Sequence, residues 1–420
     1  DALIEFGPSL IPELYRIRQK WKTAFLEDPE DTVARQMSRY KERIKPGSRI
    51  GIAAGSRGIY HYSRIVKAVV DCVRERKAEP FIIPAMGSHG GATAEGQLEV
   101  LEGYGITEES MGAPFLSSME TNTIGYTKEG VPVHFDQNAC SMDGIIMVNR
   151  IKPHTDFHGE IESGIMKQMV IGLGKQRGAS TIHRRGVYGL SVLMPESARI
   201  IMDKMPILMG IAILENQQDR TAKIEVLPVE RIEARERELL KEAKALLPAL
   251  PCDKLDVLVL QEMGKNISGT GIDPNIVGRY LIRNMSDQLP DIYRIVCLDL
   301  TEESHHNAIG VGIADLITRR MYEKIDLEPT YVNTMTSGFL ERGFMPVVAQ
   351  NDREAIETAL NCCNRYVTAQ NARMVLAKNT LELQELIVSE ALLPELEGRV
   401  EIMGKVQINW DQQGYMKNLF

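Results

Sequence analysis

At 420 residues the chain exceeds what one hydrophobic core comfortably organises, so two domains are expected. A net charge of −8 argues against a nucleic-acid groove or an anionic-membrane patch, while leaving room for a small anionic substrate held by a few local cations. Hydrophobic content of 44% and charge of 25% are those of an ordinary globular protein, and 34 Gly with 20 Met suggest tight turns and adaptable packing.

No apolar run approaches the ~20 residues of a spanning helix. The first residues, DALIEFGPSL, lack the basic and apolar regions of a signal peptide. Cys72, Cys140, Cys252, Cys297, Cys362 and Cys363 are scattered without CxxC spacing and read as reduced thiols. A cytoplasmic protein is the expectation.

Residues 9–43 read as helical, from Leu10, Ile11, Leu14 and Ile17, with a break at Asp28-Pro29. Then come a short apolar strand RIGIAA, a Gly-Ser-Arg-Gly loop and a helix from about Tyr62 to Lys77. The strand PFIIPAM, the loop GSHGGATAEGQ and a helix to about Leu101 repeat that order. Strand–loop–helix repeats of this kind build parallel α/β sheets, whose ligands gather at loops leaving the C-terminal strand ends. Ser56, Arg57, Ser88 and His89 stand at such ends. Residues 121–149 read as strands ending in the buried run GIIMVN, and a helix from about Tyr188 to Asp203 precedes the apolar run MPILMGIAIL. The charged helix VERIEARERELLKEAKALLPAL runs into LPALPC, where the domain boundary falls.

A second α/β unit opens with LDVLVLQEM and the polar loop GKNISGTGIDPN. YRIVCLDL, YVNTMT and PVVAQN read as strands, with helices near 310–325, 354–366 and 380–392. The expected organisation is an N-terminal catalytic and cofactor-binding domain (1–250), a C-terminal α/β domain (251–397) and a tail strand (398–420) that rejoins either one. Mainly parallel sheets are expected in both domains, with the active site in the cleft between them.

The stretch Arg150–Arg185 carries the densest chemistry. It holds His154, His158 and His183, the carboxylates Glu160 and Glu162, and Lys167, all interleaved with glycines that let backbone approach a ligand. Pro153 pushes Lys152 toward an extended conformation, so KPHTDFH leaves its strand stiffly. His154 and His158 are four apart, but Pro153 and Gly159 bracket them and a helix is not expected there. A zinc site on the pair would lack both the HExxH pattern and a third ligand. Lys167 in SGIMKQMVIGLG faces an apolar run, where desolvation would make it a nucleophile or attachment point. Gly172, Gly174 and Gly178 match no nucleotide-loop spacing. His89 in GSHGG suits general acid–base work, and Lys265, Asn266, Ser268 and Thr270 could clamp a polar substrate, as could His305-His306.

PAMGSHGGAT, KPHTDF, ESGIMKQMVIGLGK and TIH, in this order, resemble the nickel-pincer-nucleotide isomerases typified by lactate racemase. The resemblance is clearest over roughly residues 49–190. It implies a nickel-pincer nucleotide (a pyridinium-3,5-bisthiocarboxylic acid mononucleotide) joined covalently to Lys167, with Ser88, Gly172 and Gly174 as further cofactor contacts. It implies His183 as the protein's own nickel ligand, His89 and His154 as the two catalytic histidines, and Arg57 as the substrate arginine. Lys265 is the second-domain candidate for a carboxylate contact. His154 is preferred to His158 on its Pro-His context. The loop GSRG and the SGIMK form of the attachment segment mark a divergent subgroup.

The resemblance implies a racemase or epimerase that inverts C2 of a 2-hydroxy acid, a sugar acid among the candidates, with cofactor-maturation enzymes as partners. Two alternatives stand beside it: a non-catalytic carboxylate-binding or sensor protein of the same fold, and a zinc hydrolase using His154 and His158.

Overall fold

The computed structural model describes residues 9–21, 24–56, 58–282, 285–363, 365–417 and 419–420. The chain forms two compact units, one of Thr23–Leu247 and one of Asp1–Lys22 with Pro248–Phe420. The start of the chain groups with the C-terminal part. The reason is β1 (Leu14–Gln19), whose backbone pairs with strands from the end of the chain.

The unit Thr23–Leu247 is built on β2 (Arg49–Ala54), β3 (Glu79–Pro84), β6 (Gly144–Arg150), β7 (Ile207–Glu215) and β8 (Thr221–Pro228), with a separate hairpin of β4 (Thr121–Tyr126) and β5 (Pro132–Asp136). The main sheet runs β3-β2-β6-β7-β8, parallel apart from β8. Both faces are covered, as the near-continuous apolar strands require. Alternation sorts the residues: Ile146 and Val148 of β6 join one core with Ile50, Ile52 and Ile211, while Ile145 and Met147 join the other with Met166 and Leu173. The helix Tyr62–Glu75 packs on the first face because Tyr62, Ile65, Val66, Val69, Val70 and Val73 recur at helical spacing.

The other unit carries an eight-stranded sheet: β9 (Lys254–Leu260), β10 (Asp291–Cys297), β11 (Leu316–Thr318), β12 (Val347–Ala349), β13 (Met374–Ala377), β14 (Glu385–Ser389) and β15 (Val400–Val406), in the order β12-β11-β10-β9-β13-β14-β1-β15. The first five are mutually parallel, and β14, β1 and β15 continue antiparallel. The tail strand therefore stays in this unit, on β1.

Four expectations for secondary structure are corrected, one of them in part. Leu14 to Ile17 is strand, because an apolar pair three apart fits a short strand as well as a helix, and β14 and β15 supply hydrogen-bond partners on both sides. YVNTMT lies inside the helix Leu327–Ser337, whose N-terminus is capped by Asp326 accepting the Glu328 amide at 3.0 Å. The expected helix at 380–392 is instead β14, whose ELIVS run is β-branched and buried, and β11 occupies part of 310–325. The α/β class with mainly parallel sheets stands. Among the described residues no helix is long and apolar enough to cross a membrane.

Candidate active site

Three neighbouring parallel strands, β3, β2 and β6, release their chains at the same sheet edge. Those exits are the loops of His89, of Ser56, and of His154 with Lys167. Arg57 lies outside the described residues.

His89 is exposed, and its Nδ1 meets the Ser56 hydroxyl, so the first two loops touch directly. The loop is shaped by close backbone approach. A Cβ on Gly96 would stand 2.1 Å from the Gly90 carbonyl, so only glycine fits. The Ser56 loop is fixed at its far end by Glu215, which accepts the Tyr60 amide at 2.7 Å and pairs with Arg150 at the end of β6. Ser88 is exposed beside His89.

The third exit is closed on itself. Lys152 and Ser163 exchange backbone hydrogen bonds of 2.9 and 3.3 Å, pinching residues 153–162 into a loop. Its organiser is Glu162, whose side chain is fully buried. Glu162 accepts the His154 amide at 2.7 Å, the Gly159 amide at 3.1 Å and the Lys244 ammonium at 2.6 Å, with His158 Nδ1 at 3.3 Å. Burial alone would raise its pKa. The His158, Lys244 and His154 contacts outweigh that and hold it below the usual carboxylate value. His158 is therefore tied to the loop's buried carboxylate. His154 is engaged differently: its Nδ1 accepts the Asp156 amide at 3.0 Å, and the Asp156 carboxylate lies 3.9 Å from the same nitrogen. This pattern places the proton of neutral His154 on Nε2.

Lys167 ends the short helix Ile165–Lys167 and is half-buried. Its flanks are bound to strand ends. Asn149 donates to the Gly164 carbonyl at 2.7 Å, and Gln168 donates to Val148 at 2.9 Å and Ala53 at 3.3 Å. Glu236, fully buried, accepts the Met166 amide at 3.1 Å. A π-helical turn over Gln168–Gly172 follows, a distortion often found at functional sites.

His183 closes the helix Lys175–His183. Its ring keeps accessible surface, yet desolvation by surrounding protein is the main cause of a lowered pKa, which marks a concave position. The Lys167 ammonium lowers it further and Asp156 opposes, so both groups lie within electrostatic reach of His183. The shift favours the neutral imidazole, the state a metal ligand requires.

Gly172 and Gly174 are buried against backbone: added Cβ atoms would stand 2.6 Å from the Ala85 carbonyl and 2.0 Å from that of Val170. They serve close packing. Lys265 belongs to the other unit, where its ammonium donates to Asn333 at 2.9 Å. That unit also holds a cavity of about 800 Å³ at the starts of its strands. Two ion pairs line it, Arg365 with Asp256 and Arg373 with Glu395.

Residues 44–231 match the model of a family described as a domain of unknown function, DUF362. No curated protein matches the chain. Its structure is similar to that of the lactate racemase apoprotein from Thermoanaerobacterium thermosaccharolyticum, with a TM-score of 0.53 and 12% sequence identity, over 90% of this chain and 96% of that one. The chain has a lactate racemase-like fold. Within that fold, motif reasoning singled out His89, His154, Lys167 and His183. Glu162 stood out only as a carboxylate of the same stretch, and the parts played by Asp156, Glu236, Lys175 and Gln97 were missed. Asp156 lies inside KPHTDF, and Glu162 and Lys175 open and close ESGIMKQMVIGLGK, whereas Glu236 and Gln97 lie in no such motif.

Proposed function

We propose that this protein is a racemase or epimerase acting at C2 of a 2-hydroxy acid, with a nickel-pincer nucleotide on Lys167. The observation that supports it most is the grouping of Lys167, His183 and the His154–Asp156 pair at the exit of β6, with His89 at the exit of β3, one strand further along the sheet.

The residues present suit that cofactor. Among the described residues no three His, Cys, Asp or Glu side chains form a metal cluster, so a metal at His183 would draw its other donors from a bound group. Lys167 would hold that group and His183 would ligate the nickel. When bound, such a nucleotide supplies a reversible acceptor for the hydride on the substrate carbon.

The chain's own residues manage the proton. The Ser56 hydroxyl can accept from His89 Nδ1–H, which leaves Nε2 as the basic atom to take the substrate's hydroxyl proton. His154 returns a proton from Nε2 on the other side as the imidazolium, whose Nδ1–H faces the Asp156 carboxylate, and it is left neutral. For the reverse reaction the two histidines exchange roles. His154 then needs its proton on Nδ1, and the Asp156 carboxylate is the acceptor for it. Arg57 is proposed to hold the substrate carboxylate bidentately. The cofactor would come from dedicated maturation enzymes.

The test is to express the protein with such enzymes and incubate it with single enantiomers of 2-hydroxy acids and aldonates. Inversion that is lost in Lys167→Ala and His183→Ala supports the reading. Nickel-loaded protein that inverts none of them contradicts it.

A further inference from the structure

Lys175 opens the helix that ends at His183, and it does so with a φ of 53°, a left-handed conformation costly for a residue with a side chain. Its side chain and that of Asp136, at the end of β5, are completely buried and lie 3.2 Å apart. The ammonium also donates to the Pro84 carbonyl at 2.5 Å, where β3 ends, and to Gln97 Oε1 at 3.1 Å. Two of its donors meet acceptors on β3 and on the helix Ala94–Glu102, and the Asp136 carboxylate supplies the counter-charge from β5.

Gln97 is fully buried as well. An ammonium only donates, so Gln97 must turn its oxygen toward Lys175 and its NH2 away. That NH2 meets the carbonyls of Gly87 at 2.8 Å and of His89 at 3.4 Å. The charge on Lys175 thus fixes the orientation of the amide that holds the His89 loop.

Stability does not account for this arrangement. Burial pushes Asp136 up and Lys175 down, each opposed by the other. Buried ion pairs can often be exchanged for apolar residues at little or no cost. The geometry the pair enforces is the remaining reason for it.

We propose that Lys175 is a positioning residue, which acts through Gln97, with Asp136 as counter-charge, to hold His89 where it meets the substrate. The catalytic purpose rests on the racemase reading; the physical claim about the loop does not.

The experiment is hydrogen–deuterium exchange and steady-state kinetics on the cofactor-loaded protein, comparing wild type with two variants. Gln97→Glu still accepts from Lys175 but gives the Gly87 and His89 carbonyls no donor. The double variant Lys175→Met with Asp136→Leu removes both charges together, leaving none stranded. In both, peptides covering 86–92 should exchange roughly tenfold faster or more, the scale of one or two lost hydrogen bonds. The rest of the unit should keep its wild-type rates. The double variant should keep its Tm while kcat falls by roughly tenfold or more at a near-constant KM, as expected when a reacting group is misplaced. Unchanged exchange over 86–92 in either folded variant overturns the proposal, as does a loosened loop with wild-type kcat. A wild-type protein that inverts no 2-hydroxy acid overturns the functional reading alone, and the exchange comparison still decides whether Lys175 holds the loop.

Discussion

Glu236 reaches from the helix Ile232–Ala245 to accept the Met166 amide at 3.1 Å, one residue before Lys167. Burial pushes its carboxyl up to about 8, against the backbone amides of Met166 and Ile165 that favour the charge. A carboxyl raised in the folded state binds its proton more tightly there than in the unfolded chain. Its contribution is therefore most favourable below about pH 4.5 and is lost as pH rises to about 8. Wild type should lose up to roughly 1.4 kcal/mol of stability per pH unit across that window relative to Glu236→Gln. Urea midpoints of both proteins at several pH values measure the difference in slope. Parallel curves would mean that Glu236 is charged throughout.

Gly164 is the place where this anchor leaves no room. A Cβ there would stand 2.2 Å from Glu236 Oε1. Gly164→Ala should destabilise the unit by about 1–3 kcal/mol, the usual cost of overpacking. Combining it with a shortened side chain, Glu236→Ala, should give less than the sum of the separate losses, because the clash is gone. Thermal unfolding of the single and double variants checks both statements.

His154 and His158 should separate cleanly. Removing the imidazole of His154 should lower turnover by about 10²–10⁴-fold, the range for a general acid–base group. Removing that of His158 takes a partner from buried Glu162 and should lower Tm, with turnover within about tenfold of wild type, because loop stability and proton transfer are separate roles. Kinetics and unfolding on the two alanine variants decide it. A zinc hydrolase using both histidines would lose activity equally in each.

Asp156→Asn should keep the backbone donor to Nδ1 of neutral His154 and remove the negative charge that favours Nδ1–H on the imidazolium. Turnover should fall by about 10²-fold or more, by the same tautomer logic that governs a buried carboxylate behind a catalytic histidine. Steady-state inversion kinetics from each enantiomer, with thermal unfolding to confirm the fold, measures the deficit.

The sequence displays some of this and hides the rest for physical reasons. The parallel α/β architecture is legible because β2, β3 and β6 are apolar runs followed by turn residues and amphipathic helices, which is local information. His89, His154, Lys167 and His183 stand out because polar groups among glycines are unusual. What packs behind them is not local. Glu236, Gln97 and Asp136 look like surface residues in the sequence, since a charged helix face or a strand end gives no sign that it is buried against a partner distant in the chain. Leu14 to Ile17 fails for the same reason: its partners β14 and β15 are more than 360 residues downstream. The glycines Gly172 and Gly174 show the converse, because close packing and phosphate binding both select glycine.

The central claim turns on one nitrogen atom. Protein produced with cofactor-maturation enzymes should yield, on digestion and mass spectrometry, a peptide containing Lys167 that carries the mass of a sulfur-containing pyridinium nucleotide. The intact protein should contain about one nickel per chain, as one site per protein implies. An unmodified Lys167 in nickel-free protein, from cells whose machinery demonstrably loads another enzyme, would contradict the account.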